Sequence, residues 1–292
     1  MAVTGEISLA VAAKASGENF PVALRMLPRS VRAHLTAFYG FARLVDDIGD
    51  EPLPALAGPL SAEEERATRL RLLDELEADV AKIYDGGQPS LPAMRVLGET
   101  VRACGIPLAP FKDLVQANRQ DQRVTRYATY QELLRYCELS ANPVGAVVLH
   151  IFGAATPQRL ALSDKVCTAL QLIEHWQDVA EDLANGRVYL PQEDLAAHGV
   201  TEEDLARPTA SVDVVNLMGF ETDRATRLLD EGAPLAGTLG GWARLAISGY
   251  IAGGRAAIAS IVNGGYDVLR KTPKPGKAAT AAGLVSCYVR GR

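Results

Sequence analysis

Two short stretches of this 292-residue chain set carboxylates at helical spacing among large apolar residues. In FYGFARLVDDIGDE (Phe38–Glu51), Tyr39, Arg43, Asp46 and Asp50 follow one another at steps of four, three and four, with Asp47 alongside. Leu35, Phe38, Ala42 and Val45 flank that row. In LQLIEHWQDVAEDLANGRVYLP (Leu170–Pro191), Gln171, Glu174, Asp178 and Asp182 follow at three, four and four, between Leu172, Ile173, Trp176, Val179 and Leu183. Such steps place each row on one side of a helix, and Glu181 on a different, solvated side. A charge buried without compensation is costly, so both rows require cations. Hard oxygen ligands on two helices suit Mg²⁺, which takes one or two carboxylates per ion and completes its shell with water and substrate phosphate oxygens. Arg43, Arg123, Arg126 and Arg187 lie near the rows and are candidates to clamp phosphate oxygens. One DxxxD pair is commonplace on a solvated helix; two pairs, each amid apolar residues and each near Arg and Tyr, point to diphosphate chemistry.

Helices must position these rows, because helical periodicity dominates and almost no alternating strand pattern occurs. The spacing predicts helices over Arg29–Asp50, Ala62–Tyr84, Leu91–Cys104, Tyr130–Tyr136, Pro143–Phe152, Arg159–Leu183, Val212–Asp230 and Leu239–Asn263. Ser61 followed by Glu64 reads as a capping box opening the second. Gly- and Pro-rich stretches punctuate the chain, and no linker is long enough to divide it, so the expectation is one all-α domain over 1–292 with a basic tail at 271–292.

Composition narrows the class further. A chain 48% hydrophobic and 22% charged is globular. A net charge of −5, with no basic stripe interleaved with aromatics, argues against a nucleic-acid partner. Cys104, Cys137, Cys167 and Cys287 form no CxxC pair, which disfavours a disulfide framework or structural zinc and fits a reducing compartment. The run Val144–Ala155 is too short to span a bilayer, so the expected chain is soluble or peripheral to a membrane. Trp176 reads as core, and His34, His150 and His198 lack metal-ligand spacing.

These residues resemble the squalene/phytoene synthase family of isoprenoid synthases. The likeness runs from NFPVALRMLP (Asn19–Pro28) to GGYDVLRK (Gly264–Lys271). YGFARLVDDIGDE looks like the family's first aspartate motif, and QDQRVTRYATYQELLRYCELSANPVG like its middle region. LQLIEHWQDVAEDLANGRVYLP looks like the second aspartate motif with its trailing Arg-x-Tyr. SANPVG, HWQDV and GRVYLPQEDL carry a narrower likeness to the branch serving bacterial hopanoid biosynthesis. Condensing members usually place Asn four positions before the second motif and Arg immediately before it; here those positions hold Glu174 and Gln177. Gln177 agrees with the hopanoid branch, whereas Glu174 departs even from that branch.

The resemblance implies an all-α isoprenoid synthase fold around a deep central cavity. It implies that Asp46, Asp50, Asp178 and Asp182 hold Mg²⁺ on a diphosphate, with Tyr39 and Arg43 beside them in the catalytic set. Asn19, Phe20, Arg126, Gln171, Glu174, His175, Gln177, Arg187 and Tyr189 are the implied substrate-binding set, and Glu174, His175 or Gln177 would position a water. The implied reaction converts presqualene diphosphate and water to hydroxysqualene and diphosphate. Condensation of two farnesyl diphosphates to presqualene diphosphate or squalene is the alternative, and a helical Mg²⁺-dependent nucleotide pyrophosphohydrolase a distant one. No nicotinamide-binding motif is evident. A cytoplasmic protein in peripheral contact with the inner membrane is expected, since the tail is basic and the product apolar.

Overall fold

A computed structural model describes residues 27–51, 53, 60–274 and 277–292, the side chains of 277–279 excepted. Asn19 and Phe20 lie outside the described residues. The described chain is helical: α1 Arg29–Asp50, α2 Ala62–Tyr84, α3 Pro92–Cys104, α4 Ala109–Asp121, α5 Tyr130–Ser140, α6 Asn142–Ile151, α7 Pro157–Gln177, α8 Val179–Ala184, α9 Gln192–Ala197, α10 Glu202–Leu205, α11 Val212–Gly232, α12 Leu235–Thr238, α13 Gly241–Asn263 and α14 Lys277–Arg290. Among the described residues there is no sheet, only an isolated parallel bridge between Arg126 and Val188.

The helices fall into two compact units. One takes the described residues up to Arg123 together with Ala146–Ala155; the other takes Val124–Gly145 and Thr156–Arg292. In the first, α1 packs against α2, α3 and α4. Leu35, Phe38, Phe41, Leu44, Val45 and Ile48 recur at helical spacing and are all buried on α1. Phe111 of α4 receives the edges of Phe38 and Phe41 at centroid distances of 6.3 and 5.1 Å, a geometry aromatic quadrupoles favour. Ser61 caps α2 as the sequence predicts: its Oγ accepts from the Glu64 amide at 3.3 Å, and Glu64 accepts from the Ser61 amide at 2.9 Å. Helix α1 stops at Glu51, whose backbone is extended, because Pro52 follows and excludes the helical conformation for the residue before it.

In the second unit α7 packs along α11 and α13, and α14 lies along α13. Val166, Ala169, Leu172, Ile173 and Trp176 of α7 are buried, as are Val214, Leu217, Met218, Ala225 and Leu229 of α11. Trp176 is fully buried and takes the core role expected of it. Arg224 of α11 ties several elements together. It bonds Asp194 at 3.0 Å and Glu221 at 3.4 Å and lies 3.8 Å over the Tyr130 ring. Burial pushes the Glu221 carboxyl up to about 8.

The structure departs from the sequence expectations, or adds to them, at three places. The unbroken helix expected over Arg159–Leu183 pauses at Asp178, where φ is −106° and ψ 16°. Asp competes poorly for helix interiors because its carboxylate also favours cap geometries. The segment APFKDLVQANRQD, for which the sequence reading assigned no helix, forms α4. Most of the basic tail is helix α14.

Candidate active site

The first aspartate row occupies the last turns of α1. Asp46 and Asp50 reach the surface, while Asp47 is buried beside them. Arg43 Nε lies 2.8 Å from Asp47 and its Nη2 donates to Glu51 at 3.0 Å. Arg43 thus neutralises the buried carboxylate next to the row. The carboxyl of Asp46 is pushed up to about 6, first by desolvation and then by Asp50; a hydrogen bond to Asn118 and the charge of Arg43 pull it back. Although the residue as a whole is exposed, its carboxyl is crowded enough for desolvation to dominate.

Asn118 holds this arrangement from α4. It is buried, and its Oδ1 lies where a side chain on Gly49 would be: a Cβ there would stand 2.1 Å away. Gln122 donates to the Gly49 carbonyl at 3.2 Å. Arg69 of α2, also buried, donates to the Ile48 carbonyl at 2.7 Å and the Glu51 carbonyl at 3.0 Å. A guanidinium on the last carbonyls satisfies acceptors that no helical amide reaches and complements the helix dipole. Neither Arg69 nor Asn118 was a candidate from the sequence. Their only signal was a polar residue at an otherwise apolar helix position. Tyr39 is half-buried on the same helix.

The second row lies in the other unit, at the α7–α8 break. Asp178 ends α7 and its carbonyl accepts the Asp182 amide at 2.8 Å. Its carboxyl is pushed up to about 6 by desolvation, then by Asp182, Glu174 and Glu181, against the pull of His175. The imidazole of His175 is buried, with Nδ1 3.9 Å from Asp182 Oδ2. Gln171 Nε2 stands 3.2 Å from its other nitrogen. With the amide donating, Nε2 accepts, and Nδ1 is the nitrogen facing Asp182. His175 stacks on Tyr189, and Tyr189 neighbours Tyr127 and Tyr136, each at 5.9 Å between centroids. His175, Val179, Asp182, Val188, Tyr189 and Leu190 line a small recess.

The middle motif packs directly onto this row. The Val188 amide donates to the Thr125 carbonyl at 2.9 Å, and the Gln192 amide to the Tyr127 carbonyl at 2.9 Å. Arg126 grips Glu202 with two bonds, at 2.6 and 2.8 Å, and the Gly186 carbonyl at 2.6 Å. Its guanidinium therefore fastens the loop after the second row to α10. These bonds give Arg126 a positioning role in addition to the phosphate contact expected of it, and no sequence signal linked it to Glu202, 76 residues away. Gln177 is half-buried and donates to the Pro273 carbonyl. Glu174 is exposed, as is Glu181; Gln171 is directed at His175, and the charge of Glu174 acts on Asp178. Arg187 is half-buried in the same loop, and its amide donates to the Asp182 carbonyl at 2.8 Å.

The model of the squalene/phytoene synthase family matches residues 13–278. The chain belongs to this family. It is 35% identical over 220 residues to the hydroxysqualene synthase of Rhodopseudomonas palustris, covering 75% of this chain and 70% of that protein. It is 31% identical over 215 residues to the phytoene synthase of Mycobacterium tuberculosis, covering 73% of this chain and 67% of that protein. The crystal structure of squalene synthase HpnC from Alicyclobacillus acidocaldarius superposes with a TM-score of 0.78 at 37% identity, over 90% of this chain and 94% of that one. The squalene/phytoene synthase family consists of enzymes with the isoprenoid synthase fold, which act on prenyl diphosphates with divalent metal.

The donor set fits such a metal. Each row offers two hard carboxylates, and in each one carboxyl is held near 6 by crowding and by its like-charged neighbour, a penalty that a cation relieves. Among the described residues no three His, Cys, Asp or Glu side chains converge on one metal position. Mg²⁺ does not require them, since it takes one or two carboxylates and keeps water or phosphate as its other ligands.

Proposed function

We propose that this chain is a hydroxysqualene synthase acting as a single catalytic domain, converting presqualene diphosphate and water to hydroxysqualene and diphosphate. Gln177 carries the reading. It is a neutral amide beside Asp178, hydrogen-bonded to Pro273, at the position where condensing relatives usually hold Arg. The likeness to the Rhodopseudomonas protein supports it. Asp46 and Asp50 on one row, and Asp178 and Asp182 on the other, would hold Mg²⁺, whose charge stabilises the departing diphosphate. Tyr39 and Arg187 stand beside the rows for phosphate contact. Arg43 and Arg126 keep Asp47 and the Gly186 loop in place. His175 and Tyr189 orient Asp182 from a buried stack, and among Glu174, His175 and Gln177 the role of directing water towards the carbocation is assigned to Gln177. The reaction belongs in the cytoplasm, next to the membrane that receives its apolar product.

The test is product analysis with presqualene diphosphate, Mg²⁺ and no reductant. Hydroxysqualene and diphosphate are expected in equal amounts, with farnesyl diphosphate alone left unconsumed. Rapid diphosphate release from farnesyl diphosphate would establish the condensing alternative, to which the likeness to the Mycobacterium phytoene synthase lends support. Gln177→Leu is expected to lower the alcohol yield; an unchanged rate and yield would remove Gln177 from the water-directing role.

A further inference from the structure

Charge is distributed unevenly along this acidic chain. Residues 232–292 carry eight Lys and Arg side chains against a single carboxylate, Asp267, although the net charge of the whole chain is −5. The two carboxylates just before that span, Asp230 and Glu231, are paired with Arg255 at 2.6 Å and Lys165 at 2.7 Å. The cationic segment folds into α12, α13 and α14, and its apolar residues do not all turn inward.

At the end of α14, Val285, Tyr288 and Val289 are 64%, 38% and 71% exposed. Their spacing of three and four places them on one stripe. The opposite side of the helix carries buried Cys287 and contacts α13. Trp242, at the start of α13, is 44% exposed. The two helix ends are held together: Arg244 lies 5.1 Å over the Tyr288 ring and donates to the Val289 carbonyl at 3.3 Å. Gly237 of α12 and Gly291 touch backbone to backbone, since a Cβ on Gly237 would stand 2.7 Å from the Gly291 carbonyl oxygen. Arg290 and Arg292 are exposed beside the stripe. Arg159 reaches the Thr238 carbonyl of the adjoining turn at 2.6 Å.

We propose that this end of the second unit docks on an anionic lipid bilayer, with Trp242, Val285, Tyr288 and Val289 entering the interfacial layer and Arg244, Arg290 and Arg292 facing the lipid phosphates. Aromatic rings with one apolar and one polar side partition to the bilayer interface, aliphatic side chains add burial, and guanidinium groups pair with anionic headgroups. The charge asymmetry selects a lipid surface over symmetric pairing with another copy of this chain, because two such cationic faces would repel each other. Helix α13 is itself long and apolar enough to cross a membrane, but it packs against α7, α11 and α14 as a core helix. The bilayer therefore meets its end, at Trp242, and not its length. The inference is independent of which prenyl diphosphate the enzyme accepts.

The experiment is co-flotation of the full chain with vesicles of phosphatidylcholine alone and of phosphatidylcholine mixed with phosphatidylglycerol. Binding is expected only to the mixed vesicles, weakening at high salt as screening predicts. Trp176 is fully buried, so a blue shift of tryptophan emission on adding vesicles reports Trp242 and should vanish in Trp242→Phe. The double variant Val285→Glu/Val289→Glu and, separately, Arg290→Ala/Arg292→Ala should each bind at least tenfold more weakly while melting and releasing diphosphate in vesicle-free buffer as the parent does. Equal binding of the parent and the Val285→Glu/Val289→Glu protein would overturn the proposal. So would absence of vesicle binding in a folded parent, or loss of a concentration-dependent oligomer in that variant without any vesicle binding.

Discussion

The imidazole of His175 lies flat on the ring of Tyr189, with centroids 3.6 Å apart and planes inclined by 12°. The same imidazole turns Nδ1 towards Asp182. A residue of the second aspartate row is thereby oriented by the Arg-x-Tyr segment that follows it in sequence.

Removing that support should loosen the row. Tyr189 is buried, and truncating a buried aromatic costs about 3–5 kcal/mol. Tyr189→Ala is expected to fall in that range by denaturant melting, whereas Tyr189→Phe keeps the stack and should lose less stability. With Tyr189→Phe the Mg²⁺ concentration for half-maximal rate should stay near that of the parent. A large rise in that concentration would assign the hydroxyl itself to the metal site.

Arg126 and Glu202 are joined by two hydrogen bonds but are both partly exposed, so the pair should contribute only about 1 kcal/mol to stability. Its importance lies in holding the Gly186 loop. Arg126→Ala and Glu202→Gln are expected to lower kcat alike, and the double variant to lower it little further. A loss in Arg126→Ala alone, expressed in KM, would return Arg126 to direct phosphate binding.

Gly49→Ala places a methyl group 2.1 Å from Asn118 Oδ1. Overpacking of this kind costs about 1–3 kcal/mol. Asn118 must shift, and its hydrogen bond to Asp46 goes with it. The variant should melt earlier and need more Mg²⁺, and pairing it with Asn118→Ala should restore part of the stability. Stability equal to the parent in Gly49→Ala would show that α4 yields freely.

The pH dependence follows from Asp46 and Asp178, both raised from 3.8 to about 6. A carboxyl whose folded pKa exceeds its unfolded value stabilises the fold fully below the unfolded pKa, and that contribution is lost as pH rises through the folded one. Metal-free protein should therefore lose stability from these groups between about pH 4 and 6. Mg²⁺ competes with the proton and binds only the ionised pairs. The rise in Tm on adding Mg²⁺ should be small near pH 5 and grow through pH 6 to 7. A metal shift independent of pH over that range would exclude these carboxyls as ligands.

Much of this was legible along the chain because it depends on local periodicity. The extents of α1 and α2, the Ser61–Glu64 cap, the burial of Trp176 and the exposure of Glu181 all follow from side-chain spacing and local hydrogen bonding. The two aspartate rows, with the motifs around them, were enough to place the chain in its family. What spacing does not encode is which partner a long polar side chain meets. Arg69 on the last carbonyls of α1, Asn118 over Gly49, and Arg126 on Glu202 join residues tens of positions apart, through guanidinium and amide groups that fit several acceptors equally well on paper. Asp178 illustrates the same limit within one helix. Its row reads as continuous, and packing of the His175–Tyr189 stack against the returning Val188–Leu190 segment accompanies a break there. Sequence determined which residues carry charge and which helix face they favour; tertiary contacts decided which charges are neutralised by the protein itself, because burial and partner geometry are set only when distant segments pack.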